Sequence, residues 1–176
     1  MVMVNKLLRQ HYGGRPLPLG VAKLKAQMNA MLRTLQLPGG QWDAGLLLTT
    51  DKHIQSLNRK HRNKDKPTDI LSFPNYKVKV QGQLPHMCVE SGRYLGDMFI
   101  SLPYVEAFCV ENETTLEERM PILVAHGLVH LMGYDHETDE DFAVMSEVED
   151  ALLENYVRHL PPHYRKERPR DSIDTE

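Results

Sequence analysis

The sequence predicts a mixed α/β or α+β domain, and three observations carry that prediction. Strand-sized apolar runs alternate with segments whose apolar residues recur every third or fourth position. A length of 176 residues suits one domain with a substantial core and leaves little room for two. No apolar run approaches the ~20 residues that span a bilayer, so no membrane partner is expected.

Val2 to Lys6 reads as a first strand. Val21, Leu24, Met28, Leu32 and Leu35 then recur at helical spacing, with Pro38-Gly39-Gly40 as the stop. Ala44 to Thr50 fits a buried strand. A helix follows from about Asp51, capped by Thr50 or Asp51, with Ile54 and Leu57 facing inward and Pro67 as its end. Ile70 to Phe73 is a second apolar strand closed by Pro74, and the Gly/Pro-interrupted residues 75–93 read as a long polar surface loop. Asp97 to Ser101 gives another strand, and Pro103 starts a short helix reaching about Val110. Thr114-Thr115-Leu116-Glu117-Glu118 holds two overlapping capping boxes. Pro121 lies deep for a helix starting there, so either the helix kinks or its continuous part begins at Pro121. Both options leave residues 122–132 helical. A last helix from about Asp139 to Tyr156 places Phe142, Met145, Val148, Leu152 and Tyr156 on its buried face. The expected organisation is a single domain over residues 1–160 and a charged, disordered tail over 161–176.

Hydrophobic residues make up 41% and charged residues 26%, the balance of a soluble globular protein. The net charge is −3 and the isoelectric point near 6.3, so any affinity for nucleic acid has to come from a local patch. Such a patch exists: Arg59, Lys60, Arg62, Lys64 and Lys66 are interrupted by one acid, Asp65. Two cysteines, Cys88 and Cys109, exclude a disulfide framework and favour a reducing compartment. The first 42 residues carry six Lys/Arg and no acid, as transit peptides do, yet their strand and helix patterning favours a folded segment. Cytoplasm is expected for a bacterial source, a mitochondrion or plastid for a eukaryotic one.

Chemistry concentrates in His126-Gly127-Leu128-Val129-His130-Leu131-Met132-Gly133-Tyr134-Asp135-His136. At about 3.6 residues per turn, His126 and His130 share one helix face. Gly133 can adopt the left-handed conformation that ends a helix and turns the chain back, bringing His136 toward the other two. A lone histidine pair on a helix is more often packing than ligand; the third histidine and the intervening glycine shift the balance to a metal. Three imidazoles on one ion leave a fourth position for water, the layout of a catalytic zinc site. The His-Glu-x-x-His metalloprotease motif carries its general base where this chain has Gly127, which weakens a peptidase reading. A glycine there is expected to leave space beside the metal.

The His126-Gly-x-x-His130-Leu-x-Gly133-Tyr134-Asp135-His136 segment resembles the signature of the YbeY family of rRNA maturation factors. The block from Asn58 through Arg62 and Lys64-Asp65-Lys66-Pro67-Thr68-Asp69-Ile70-Leu71-Ser72-Phe73-Pro74 is similar as well, as is Leu95-Gly96-Asp97. The resemblance covers about residues 45–155, with the 75–93 loop longer than the family requires. It implies a zincin-like α+β domain, with a mixed sheet of about four strands flanked by helices. It implies a metal-dependent endoribonuclease acting on single-stranded rRNA, in small-subunit maturation and ribosome quality control. His126, His130 and His136 would hold one Zn²⁺ per chain, and Arg62 occupies a functionally important arginine position. The small ribosomal subunit or its proteins are the partners implied.

Taken without the resemblance, the basic run is better explained by cations meeting a helix C-terminus; with it, Arg62 reads as a phosphate contact. Asp135 reads as turn or supporting chemistry, Asp97 as structural, and Asp69 as orienting either a ligand or Arg62. Tyr76, Phe73 and Tyr94 are the aromatics nearest the motifs, with Phe73 read as core. Two alternatives stay open: a non-catalytic ribosome-assembly factor with a structural metal, and, ranked last, a zinc peptidase.

Overall fold

The computed structural model describes residues 1–87, 89 and 92–164. Strands β1 (Val2–Val4), β2 (Asp43–Thr49), β3 (Ile70–Pro74) and β4 (Tyr94–Ser101) form one sheet in the order β1-β2-β4-β3. β1, β2 and β4 run parallel, while β3 runs antiparallel to β4 at the edge. With helices α1 (Lys6–His11), α2 (Val21–Thr34), α3 (Asp51–Arg62), α4 (Leu102–Glu111), α5 (Leu116–Leu131) and α6 (Asp139–His159), the class is α+β with a mixed four-stranded sheet. The expected tail lies outside the described residues from 165 onward; Pro162–Tyr164 close the described chain in a 3-10 turn.

Strand alternation gives the sheet two unlike faces. Ala44, Leu46, Leu48, Met98 and Ile100 are fully buried, with α2 and α5 against the sheet and α6 packed on those two helices. On the opposite face α3 contributes His61 against Phe73 and His53 against Phe99, leaving both phenylalanines half-buried. Phe73 is therefore not the core residue expected of it.

Several boundaries differ from the sequence reading for local reasons. α1 was not anticipated, because six residues with only Leu8 buried show no periodicity. It starts where Asn5 Oδ1 accepts from the Leu7 N–H at 2.8 Å. α3 stops at Arg62 rather than near Pro67: Asn63 takes the left-handed conformation, and Asn58 Nδ2 donates to the Lys66 carbonyl at 2.8 Å. α5 begins at Leu116 under a complete Thr115–Glu118 capping box and runs through the buried Pro121 without interruption. Phe142 is 38% exposed, so the buried face of α6 is Met145, Glu149, Leu152 and Tyr156. The 75–93 segment is not simply surface loop: Leu84 is buried and Tyr76 packs edge-on against the buried Trp42 at 5.7 Å.

Gly96 in β4 is required by geometry. Its φ is +139°, and a Cβ there would lie 2.2 Å from the Phe73 carbonyl oxygen and 3.0 Å from the Asn75 nitrogen. Gly96→Ala is expected to destabilise the protein by at least about 2 kcal/mol, combining backbone strain with overpacking. Urea unfolding midpoints of the two proteins measure this.

Candidate metal centre

α5 is buried nearly all round, because the sheet, α2 and α6 all pack against it. Beyond its exposed first residues, its accessible line is Arg119, Ile122, His126 and His130, at helical spacing. One step round from His126, Gly127 faces the sheet, where a Cβ would lie 2.4 Å from Met98 Sδ and 2.8 Å from Ile70 Cδ1. This corrects the expectation that Gly127 opens room beside a metal. It lets the helix sit close on the sheet, and a motif glutamate would have no space here.

After α5 the chain turns at Gly133, whose φ is +85° and whose N–H donates to the His130 carbonyl at 2.9 Å. A Cβ on Gly133 would overlap Val78 Cγ2 at 1.8 Å, so the 75–93 segment presses on this turn. Gly82 N–H donates to the Met132 carbonyl at 3.2 Å, and Gln81 Nε2 to Asp141 Oδ1 at 2.8 Å. The turn delivers His136, with its ring 5.6 Å from His126 and 5.1 Å from His130. One ligand nitrogen from each of the three histidines lies within 4.8 Å of the others.

Hydrogen bonding fixes which nitrogens face the centre. His126 Nδ1 donates to Glu149 Oε1 at 2.9 Å, and His130 Nδ1 donates to the Tyr134 carbonyl at 3.0 Å. The remaining nitrogens, His126 Nε2 and His130 Nε2, face each other at 3.0 Å. Burial, reinforced by His126, pushes His130 down to about 4, so its ring is neutral at pH 7 and its Nε2 is a lone pair. With both Nδ1 atoms committed to protein acceptors, the two Nε2 atoms and the His136 ring are the groups left to share one divalent cation. The donor set therefore fits a borderline-soft metal.

Glu149 was missed by the sequence reading. Its side chain is 5% exposed, and its position between Met145 and Leu152 on the apolar face of α6 was the available signal. An acid on a buried helix face needs a partner, and here the partner is the His126 imidazole. Asp135 behaves as a turn residue, its Oδ1 accepting from the His136 N–H at 2.9 Å. Among the described residues, Asp69 bonds neither a histidine of the cluster nor Arg62. Its Oδ1 caps the Ile70 N–H at 2.7 Å, and its Oδ2 meets Arg119 Nη2 at 3.4 Å. Asp97 accepts from the Tyr94 hydroxyl at 2.6 Å, and Tyr76 donates to the Gly92 carbonyl. Arg62 ends α3 exposed; among the described residues no hydrogen bond or ion pair joins it to the histidines.

Comparison with known proteins places this centre in a family. The model of the endoribonuclease YbeY family matches residues 21–157, which include all three histidines and Glu149. The chain belongs to the YbeY family. Curated relatives named endoribonuclease YbeY include one from Sulfurihydrogenibium, 39% identical over 67% of this chain and 72% of its own. Another is human, 31% identical over 82% of this chain and 84% of its own. A third, from Nostoc, is 37% identical over 66% of this chain and 62% of its own.

Within this YbeY chain, Glu149→Gln is expected to lower metal affinity about 10-fold or more by removing the charge that holds the His126 ring. Competition against a chromophoric chelator reads the change, and an unchanged affinity would remove Glu149 from the site.

Proposed function

We propose that this protein is a metal-dependent, single-strand-specific endoribonuclease that processes rRNA. The observation that carries the reading is the convergence of His126, His130 and His136 in a chain whose relatives are named endoribonucleases. The family name supplies the reaction class, and the three nitrogens supply the place for its metal, one Zn²⁺ per chain. Three imidazoles favour zinc over magnesium, which prefers oxygen ligands.

When bound, the ion supplies Lewis acidity toward a phosphoryl oxygen and lowers the pKa of water. The chain's own residues do the rest. Glu149 and the Tyr134 carbonyl hold His126 and His130 as Nδ1–H tautomers, so both present Nε2. The Gly133 turn, clamped by Val78 and Gly82, brings the third imidazole up to the other two. Gly127 is packed into the sheet and Glu149 is committed to His126, so neither serves as the base that a motif glutamate provides. Arg62, an exposed guanidinium at the end of α3, binds phosphate and stabilises charge gathering on it in the transition state. No helix among the described residues is long and apolar enough to cross a membrane. One small domain with one metal site leaves the choice of RNA to the small ribosomal subunit or its proteins. The setting is the cytoplasm of a bacterium, or a mitochondrion or plastid.

The test pairs metal analysis with cleavage of single-stranded rRNA by wild type and His126→Ala. Wild type is expected to retain zinc and cut, and His126→Ala to do neither; equal cleavage by both overturns the proposal. Arg62→Ala should keep its metal while kcat/KM falls roughly 100-fold, the scale of losing one preorganised charge contact.

A further inference from the structure

The last turn of α3 and the free edge of the sheet carry a row of aromatic rings that neither the metal centre nor the core accounts for. His61 lies 5.0 Å from Phe73, Phe73 5.4 Å from Phe99, and Phe99 6.1 Å from His53, all edge-to-face. Phe73 and Phe99 are half-buried and His61 is exposed, so the row emerges from the sheet face and ends in solvent. β3 is the edge strand, with one side unpaired. Ile70 of this strand abuts Gly127 of α5, while Phe73 points to the other face. The histidine-bearing helix and the aromatic row therefore flank the same five-residue strand.

Charge surrounds the exposed end of the row. Arg59, Lys60, Arg62, Lys64 and Lys66 all lie in the last turn of α3 or the segment after it. Among the described residues, only Arg59 of these makes an ion pair, at 3.9 Å to Asp65. The segment is held in place: Asn58 binds the Lys66 carbonyl at 2.8 Å, and Gln55 Nε2 binds Asp65 Oδ1 at 3.1 Å. Cations without acidic partners on an ordered turn, beside an accessible ring pair, are what a single strand needs: phosphates meet the charges and unstacked bases meet the rings. A duplex keeps its bases stacked on one another and offers only phosphates.

We infer that His61, backed by Phe73, is a base-stacking platform for single-stranded RNA that crosses the β3 edge between α3 and the histidine centre. The inference rests on the nuclease reading above, and it adds the residue that makes the surface prefer unpaired RNA. His61 supplies the exposed ring, Phe73 backs that ring and is itself packed on Phe99, and Lys60 and Lys64 grip the flanking phosphates.

The experiment measures binding rather than cleavage, so the two readings fail separately. Metal-stripped protein is titrated into a short fluorescein-labelled single-stranded RNA of mixed sequence, and into the same RNA annealed to its complement. His61→Ala is expected to weaken single-strand binding about fivefold or more, the cost of one lost base–ring stack. Duplex binding should change little, and His61→Tyr should restore the single-strand affinity. Lys64→Ala should weaken both forms and flatten the salt dependence. Phe73→Leu, which keeps apolar volume but loses the ring, should reproduce part of the His61→Ala loss. Equal single-strand affinity for wild type and His61→Ala overturns the platform. So does an equal loss for single strand and duplex, or displacement of the RNA by inorganic polyphosphate as effectively as by unlabelled RNA, since each leaves charge alone as the basis of binding. A protein that binds in this way yet does not cut single-stranded RNA once reloaded with zinc would sink the nuclease reading and leave the platform standing.

Discussion

The seat of α5 on the sheet is the constraint on which the rest of the centre depends. Gly127 faces Met98 and Ile70 with no room for a Cβ. A helix held that close is fixed in rotation as well as distance, because turning it would drive Leu128 or His126 into the sheet. Fixing the rotation fixes the accessible line through His126 and His130. Gly96 makes the matching concession in β4, where Leu131 Cδ2 would lie 3.1 Å from a Cβ. Two glycines, one on each side of the helix–sheet contact, thus set where two imidazoles point.

From that orientation the electrostatics follow. Each ring gives its Nδ1–H to a fixed acceptor and turns Nε2 toward its neighbour. The protein binds this arrangement together from three directions: α6 through Glu149, the turn through Tyr134, and the 75–93 segment through Val78 and Gly82. Buried Glu149 is stabilised by the imidazole N–H it accepts from, and an uncompensated carboxylate in that position would be costly. The centre thus brings His126, His130 and His136 to one point, a donor set that one cation can share. The aromatic row lies across β3 from it, on the opposite face of the same edge strand.

The sequence made much of this legible. The four strands, the long helices α2, α3, α5 and α6, and the α5 capping box follow from periodicity and punctuation. The three histidines follow from spacing and from Gly133. Other features depend on contacts between segments far apart in the chain. α1 is too short to show a period. Glu149 lies 23 residues from the imidazole it supports. The polar 75–93 segment gives no local sign that Val78 and Leu84 pack inward, and Phe73 looks like core until the sheet edge leaves it half-covered.

By itself, the sequence determined which residue types could hold a metal and at what helical offset, since four residues along a helix is a fixed rotation and rise. It also determined the basic run from Arg59 to Lys66, because charge density is a property of the chain. The tertiary structure alone decided what Gly127 is for, which nitrogen each histidine presents, and that an acid from α6 completes the set. It alone placed His61 against Phe73 beside unpaired cations. Those are matters of which surfaces meet, and packing settles them through contacts that no local pattern encodes.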